Sequence, residues 1–153
     1  MEKIALIVGS NSDLETVEQA RKYLEYFELD CEIKVLSAHR QHDELVNFVK
    51  QFEKENGRLI IACAGMAAHL PGIIAALTTL PVIGVPLNAS SLNGVDALYS
   101  IVQMPGGIPV GTMAIGKPGI INAIIYAARI LALSNAKIKA KLVEFAAAGF
   151  KLN

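Results

Sequence analysis

Charge is scarce in this sequence. Asp, Glu, Lys and Arg make up 18% of the 153 residues, and 14 basic residues balance 14 acidic ones. Without net positive charge or a long basic run there is no field to hold a nucleic-acid backbone, so no nucleic-acid partner is expected. Cysteine occurs twice, at Cys31 and Cys63, without a CxxC partner. That excludes a disulfide framework, and both read as small buried apolar residues of a reducing compartment. The three histidines fall on different stretches with no HxxH or HExxH spacing, so no metal site is expected. The phosphate-loop pattern GxxxxGK[ST] and the nucleophile elbow GxSxG are also absent. The first residues lack a basic stretch followed by a long apolar run, so no leader is expected and the reading is cytoplasmic.

Apolar residues are plentiful, at 53%. From Leu59 to Val95 there is no charged residue at all. A bilayer span needs ~20 apolar residues, but Pro71, Pro81, Pro86, Gly65, Gly72 and Gly84 cut this stretch. It reads as buried strands and a short helix joined by loops, with no membrane partner. A neutral chain this apolar hides surface against copies of itself, so a homo-oligomer is expected.

The apolar pattern alternates in period along the chain. Ile4–Val8, Cys31–Leu36, Leu59–Cys63, Pro81–Val85 and Pro109–Ile115 are short runs suited to strands. Helical spacing marks Asp13–Phe27 (capped by Ser12 or Asp13), Asp43–Lys54 (closed by Asn56-Gly57) and Gly119–Leu133. It also marks shorter stretches at about 69–77 and 96–102, and a last amphipathic one at about 135–147. Strand and helix in turn specify an open, doubly wound α/β sheet with right-handed crossovers. No linker or repeat interrupts it, so residues 1–153 read as one domain with a helical extension from about residue 134. The last two helices carry apolar surface suited to subunit contact.

In such sheets ligands bind beyond the carboxyl ends of the strands, so the residues after each strand carry the chemistry. They are Gly9-Ser10-Asn11-Ser12-Asp13, Ser37-Ala38-His39-Arg40, Ala64-Gly65-Met66-Ala67-Ala68-His69 and Pro86-Leu87-Asn88-Ala89-Ser90-Ser91. Ser10 and Ser12, with free backbone N–H groups at a helix start, suit an anion, although an ordinary capped loop has the same composition. Asp13 fits either a first-turn acid or a partner for sugar hydroxyls. Arg40 offers a planar fork for phosphate, with Ser37 as a further donor. His39 stands between small residues and an arginine, where packing alone gives it little reason to be. Histidine as a residue type passes protons in either direction near neutral pH. His69 lies at a loop-to-helix junction and fits a core histidine or a site residue. His42 opens the next helix and reads as solvated.

Three of these loops, in this order, are followed by Leu92-Asn93-Gly94-Val95-Asp96-Ala97-Leu98-Tyr99-Ser100-Ile101-Val102-Gln103-Met104-Pro105 and Gly107-Ile108-Pro109-Val110. Together they closely resemble the N5-carboxyaminoimidazole ribonucleotide mutase (PurE) family, over nearly the whole chain. The resemblance implies a flavodoxin-like three-layer α/β/α sandwich with a mostly parallel sheet, a C-terminal helix in oligomer contacts and a homo-octamer. It implies an isomerase of de novo purine biosynthesis that moves carbon dioxide from the amino nitrogen to the ring carbon of a ribonucleotide, without cofactor or metal. His39 would be the proton carrier. Ser10, Ser37 and Arg40 would hold the phosphate and Asp13 the ribose, while Ser12, Ala64, Gly65, His69 and Leu70 would border the base and the carboxylate. Carbon dioxide must stay near the ring, so the site should be dry and closed.

Two residues depart from the family pattern. Met66 and Cys63 stand where it often has glycine, and a methionine at 66 is costly if that position needs positive φ. The animal-type carboxylase, which uses free carbon dioxide, usually has Lys at the position of Arg40 and lacks the Ala67-Ala68-His69-Leu70-Pro71 pattern. It remains the alternative enzyme. A non-catalytic binder of a flavin or another phosphorylated ligand is the alternative of another class. Against it, aromatic residues are 6% of the chain, tryptophan is absent, and the four loops hold no aromatic.

Overall fold

The computed structural model describes residues 2–152. In chain order the elements are β1 (Lys3–Val8), a 3-10 turn at Asn11–Asp13, α1 (Leu14–Glu18), α2 (Arg21–Tyr26), β2 (Asp30–Val35), α3 (His42–Lys54) and β3 (Leu59–Ala64). There follow α4 (Leu70–Ala75), β4 (Val82–Pro86), α5 (Val95–Val102), β5 (Gly111–Thr112), α6 (Lys117–Leu131) and α7 (Ala136–Ala147). The sheet order is β2-β1-β3-β4-β5, and every pairing is parallel. This is the flavodoxin-like order, and the expected mostly parallel sheet is parallel throughout.

Side-chain alternation along the strands sorts the apolar residues into two cores. Ile4, Leu6, Val8, Leu59, Ile61, Cys63, Ile83 and Val85 face α1, α2, α6 and α7, where they meet Val17, Phe27, Ile120, Ile124 and Phe145. Ala5, Ile7, Ile60, Ala62, Ala64 and Val82 face α3, α4 and α5, against Leu45, Val49, Phe52, Ile74 and Ile101. The charge-free middle of the chain thus forms two central strands covered on both faces. No helix among the described residues is long and apolar enough to cross a membrane.

Two elements and one helix cap differ from the sequence expectation. The helix expected over Asp13–Phe27 is broken at Gln19–Ala20. Ala20 N–H bonds Val17 O at 2.9 Å and Tyr23 N–H bonds Ala20 O at 3.0 Å, two tightened turns that keep Val17, Ala20, Tyr23 and Leu24 all buried. The expected cap by Ser12 or Asp13 is not formed, because the 3-10 turn precedes α1 and the Ser10 carbonyl accepts Asp13 N–H at 3.2 Å. The fifth strand, expected over Pro109–Ile115, pairs only at Gly111–Thr112. Beyond that pair it touches β4 through single bonds, Met113 N–H to Gly84 O and Gly116 N–H to Pro86 O.

Much of the apolar surface of the last two helices is taken up within the chain. Seven residues of α6 are buried, and α7 docks through Ile138 and Phe145. The Phe145 ring meets Tyr23, Phe27 and Phe150 edge-on. Asn135 caps α7 by accepting from Lys137 N–H and Ile138 N–H at 3.1 and 3.2 Å. Cys63 is fully buried, whereas Cys31, on edge strand β2, is only partly so. Burial still pushes the Cys31 thiol up to about 12, and the Cys63 thiol upward too, so neither is a reactive thiolate.

Candidate active site

The chain turns from β1 toward β2 on one side and places β3 on the other, so the loops after β1 and β3 diverge at their carboxyl ends. A cleft of about 450 Å³ opens there. All ten residues singled out from the sequence line it: Ser10, Ser12, Asp13, Ser37, His39, Arg40, Ala64, Gly65, His69 and Leu70. Of the loop after β4, only Ala89 reaches the cleft, while Ser90 and Ser91 do not line it.

One wall is a network of hydroxyls. The Ser10 hydroxyl donates to Asp13 Oδ2 at 2.8 Å and lies 2.7 Å from the Ser12 hydroxyl. Since the Ser10 proton goes to Asp13, Ser12 is the donor in the second bond. The Asp13 carboxylate is thereby held at the cleft, half-buried, with further acceptor capacity. The opposite wall is the turn after β2. Ser37 is buried; its carbonyl accepts Gln41 N–H at 2.9 Å and its N–H donates to Gln41 Oε1 at 3.2 Å. Its hydroxyl accepts Arg40 N–H at 3.3 Å, which leaves the hydroxyl proton free to donate to a ligand. The Arg40 guanidinium is exposed and makes no ion pair among the described residues. Its five N–H donors remain available to an anion.

At the centre His39 Nε2 stands 2.7 Å from His69 Nδ1, with the rings nearly perpendicular at 84°. The bond requires that one of these facing nitrogens lacks a proton, so the pair holds at most one proton between them. Both imidazoles are exposed to the cleft. His42, by contrast, opens α3 outside the cleft and is solvated. Among the described residues no group of three or more His, Cys, Asp or Glu side chains could hold a metal.

The loop after β3 forms the floor and rim. A Cβ on Gly65 would lie 2.5 Å from Ala89 Cβ, so only glycine lets this loop run against the one after β4. Met66 adopts φ 55, the left-handed conformation that glycine takes freely. Its side chain is 61% exposed and lies at the cleft. The left-handed conformation costs an ordinary residue ~1–2 kcal/mol. Met66→Gly relieves this while adding freedom to the unfolded chain. Its stability in urea denaturation is therefore expected to be unchanged or raised by up to ~1 kcal/mol; a clear loss would show that the Met66 side chain holds the loop in place. Gly9, Ala38, Met66, Ala67, Ala68 and Ala89 also line the cleft. Met66 is marked by its departure from the family pattern; the others are small, or lie inside loops already singled out, and no residue type marks them individually.

A sequence model of the AIR carboxylase family matches residues 3–149. The N5-carboxyaminoimidazole ribonucleotide mutase of Brucella melitensis is 50% identical over 142 residues, covering 93% of this chain and 88% of that protein. The mutase of Escherichia coli K12 is 48% identical over 143 residues, covering 94% and 85%. Among solved structures, Treponema denticola PurE superposes with a TM-score of 0.88 at 26% identity, covering 97% of this chain and 92% of that one. A 3-dehydroquinate dehydratase-like protein from Bifidobacterium longum shares the fold alone, with a TM-score of 0.56 at 18% identity.

Proposed function

The chain belongs to the AIR carboxylase family, and on that premise we propose that its cleft carries out the mutase reaction of purine biosynthesis. N5-carboxyaminoimidazole ribonucleotide enters and 4-carboxy-5-aminoimidazole ribonucleotide leaves. The observation that carries the reading is the placement of His39 in one cleft with the Ser10, Ser37 and Arg40 donors. Relatives that carry the mutase name align with more than nine-tenths of the chain.

The steps follow from these groups. Arg40, Ser37 and Ser10 bind the phosphate, and Asp13 accepts from the ribose hydroxyls. Binding energy from this remote end holds the ring against His39. The bond between the exocyclic nitrogen and the carboxylate breaks, its electron pair returns to nitrogen, and protonated His39 supplies the proton. Carbon dioxide and the free amine now share the cleft. The ring carbon attacks carbon dioxide, and its proton passes to the neutral His39 imidazole, which restores the starting protonation. The net change is an isomerisation with no proton gained or lost. Ser12, Ala64, Gly65, His69 and Leu70 border the base and the migrating carboxylate, with His69 fixing the His39 ring through its 2.7 Å bond.

Purified protein supplied with the carbamate nucleotide is expected to turn it over without bicarbonate. Turnover only with aminoimidazole ribonucleotide plus bicarbonate would make the protein a direct carboxylase. Arg40→Ala removes a charge-assisted contact to phosphate and is expected to raise the substrate Kd by about ten- to a hundredfold, with a smaller effect on kcat. An unchanged Kd in titration calorimetry would remove Arg40 from the phosphate site.

The protein works as a homo-octamer in the cytoplasm in this reading. Support for self-association comes from the solvent face of α5 and its lead-in, where Leu92, Val95, Tyr99 and Val102 recur at helical spacing and are all exposed. Sedimentation equilibrium measures the assembly directly.

A further inference from the structure

Where β2 ends, its pairing with β1 closes on a bond from Leu36 N–H to Val8 O at 2.9 Å. The next residue, Ser37, is buried, and its N–H has no backbone partner among the described residues. A buried N–H without a partner is costly, so the chain must supply one. It comes from a side chain: Gln41 Oε1 accepts Ser37 N–H at 3.2 Å. The other end of the same carboxamide donates from Nε2 to Glu44 Oε2 at 2.9 Å, on the first turn of α3. Only this orientation of the amide satisfies both neighbours, since an N–H faces its oxygen and a carboxylate faces its nitrogen. The Gln41 backbone is engaged as well. Its N–H donates to Ser37 O at 2.9 Å, and its carbonyl accepts Leu45 N–H at 3.0 Å, with Leu45 fully buried against the sheet. All of these bonds are made within one chain. They tie the turn that carries Ser37, His39 and Arg40 to α3 through Gln41, which does not itself line the cleft.

We propose that Gln41 is a positioning residue for the phosphate end of the nucleotide, its carboxamide bridge from Ser37 to Glu44 holding the turn so that the Ser37 hydroxyl and the Arg40 guanidinium meet the phosphate together. Ser37 and Arg40 flank His39 and are coupled by the bond from Arg40 N–H to Ser37 Oγ at 3.3 Å, so a shift of Ser37 moves both donors. Without the bridge the Ser37 N–H turns toward water or another acceptor. The donors must then be reordered when the nucleotide binds, at a cost in affinity. The His39 ring is held separately at its tip by His69. The loss therefore falls on binding more than on the proton transfers. The inference rests on the phosphate reading of Ser37 and Arg40.

The experiment measures the Kd of 4-carboxy-5-aminoimidazole ribonucleotide by titration calorimetry, and kcat with the carbamate nucleotide, for the parent and for variants folded by circular dichroism. Gln41→Ala keeps both backbone bonds and is expected to raise Kd about tenfold while kcat falls by less than about threefold. Gln41→Glu keeps an oxygen for Ser37 N–H but sets a carboxylate against Glu44, and is expected to raise Kd at least as much. Adding Glu44→Gln to Gln41→Glu exchanges donor and acceptor and rebuilds the bridge, so Kd is expected to return to within about threefold of the parent. A Kd within about twofold of the parent in Gln41→Ala, with only stability in urea lowered, would leave Gln41 a purely structural role and overturn the proposal. No recovery in the paired variant would overturn it too, because the loss would then follow the new charge and not the broken bridge. Arg40→Ala, measured alongside, separates the two readings. A raised Kd there with none in Gln41→Ala removes only the positioning role; an unchanged Kd in both puts the phosphate elsewhere and removes the reading beneath it.

Discussion

His39→Asn is expected to fold like the parent, to keep its affinity for the nucleotide, and to lose turnover by about three orders of magnitude. A positioned acid–base group contributes ~10²–10⁴-fold, and here one imidazole serves two proton transfers. Asparagine is close in size and keeps a polar end, but it cannot exchange a proton. The side chain is exposed and outside both cores, so its replacement leaves the packing alone. The phosphate donors Ser37 and Arg40 stand on the same turn and do not need the ring: Ser37 is braced by Gln41 and accepts Arg40 N–H. The expected pattern is thus a collapse of kcat in a spectrophotometric assay with little change in Kd. Turnover within tenfold of the parent would pass the proton role to another group, with His69, 2.7 Å away, as the first candidate.

Gly119→Ala is expected to lower stability by about 3 kcal/mol or more, at the upper end of the overpacking range. Helix propensity alone points the other way, since alanine is favoured over glycine by ~0.5–1 kcal/mol in a helix interior. The structure reverses the sign. A Cβ at 119 would lie 1.7 Å from the Ala114 carbonyl oxygen and 2.8 Å from its carbon, with Val85 Cγ1 at 3.0 Å behind it. The first of these is backbone and cannot rotate away. Relief requires α6 to lift from β4 or the segment after β5 to shift, and α6 carries seven buried residues of the core. Urea denaturation measures the effect. A variant as stable as the parent would mean that this helix start has room to move.

Both predictions also mark what the sequence alone discloses. The order of strands and helices, and the residues after β1, β2 and β3, were legible from period and position, because a doubly wound sheet delivers those loops to one edge. All ten candidate residues accordingly line one cleft. Tertiary distances were not legible. The His39–His69 contact joins residues on two separate loops, and nothing in either stretch announces it. Gly119 reads as a weak helix position until Ala114 is seen against it. The break at Ala20 carries no glycine or proline, so periodicity runs straight through it. The short β5 reflects an edge that pairs on one side only. The positive φ of Met66 was legible only as a conditional, since a residue's backbone angle is set by the turn it completes.

The cysteines illustrate a smaller lesson. Apolar character predicts burial for both, and position in the sheet separates them. Cys63 lies on β3, flanked by β1 and β4, whereas Cys31 lies on β2, which has a neighbour only at β1. Apolar character alone does not say which strand is the edge.

The most direct test of the account is a crystal structure with 4-carboxy-5-aminoimidazole ribonucleotide bound. The phosphate is expected on Ser10, Ser37 and Arg40, and the carboxylated ring carbon within ~3–3.5 Å of a His39 ring nitrogen, the reach that proton transfer requires. A nucleotide seated in another cavity, or a His39 ring turned out of reach of that carbon, would contradict it.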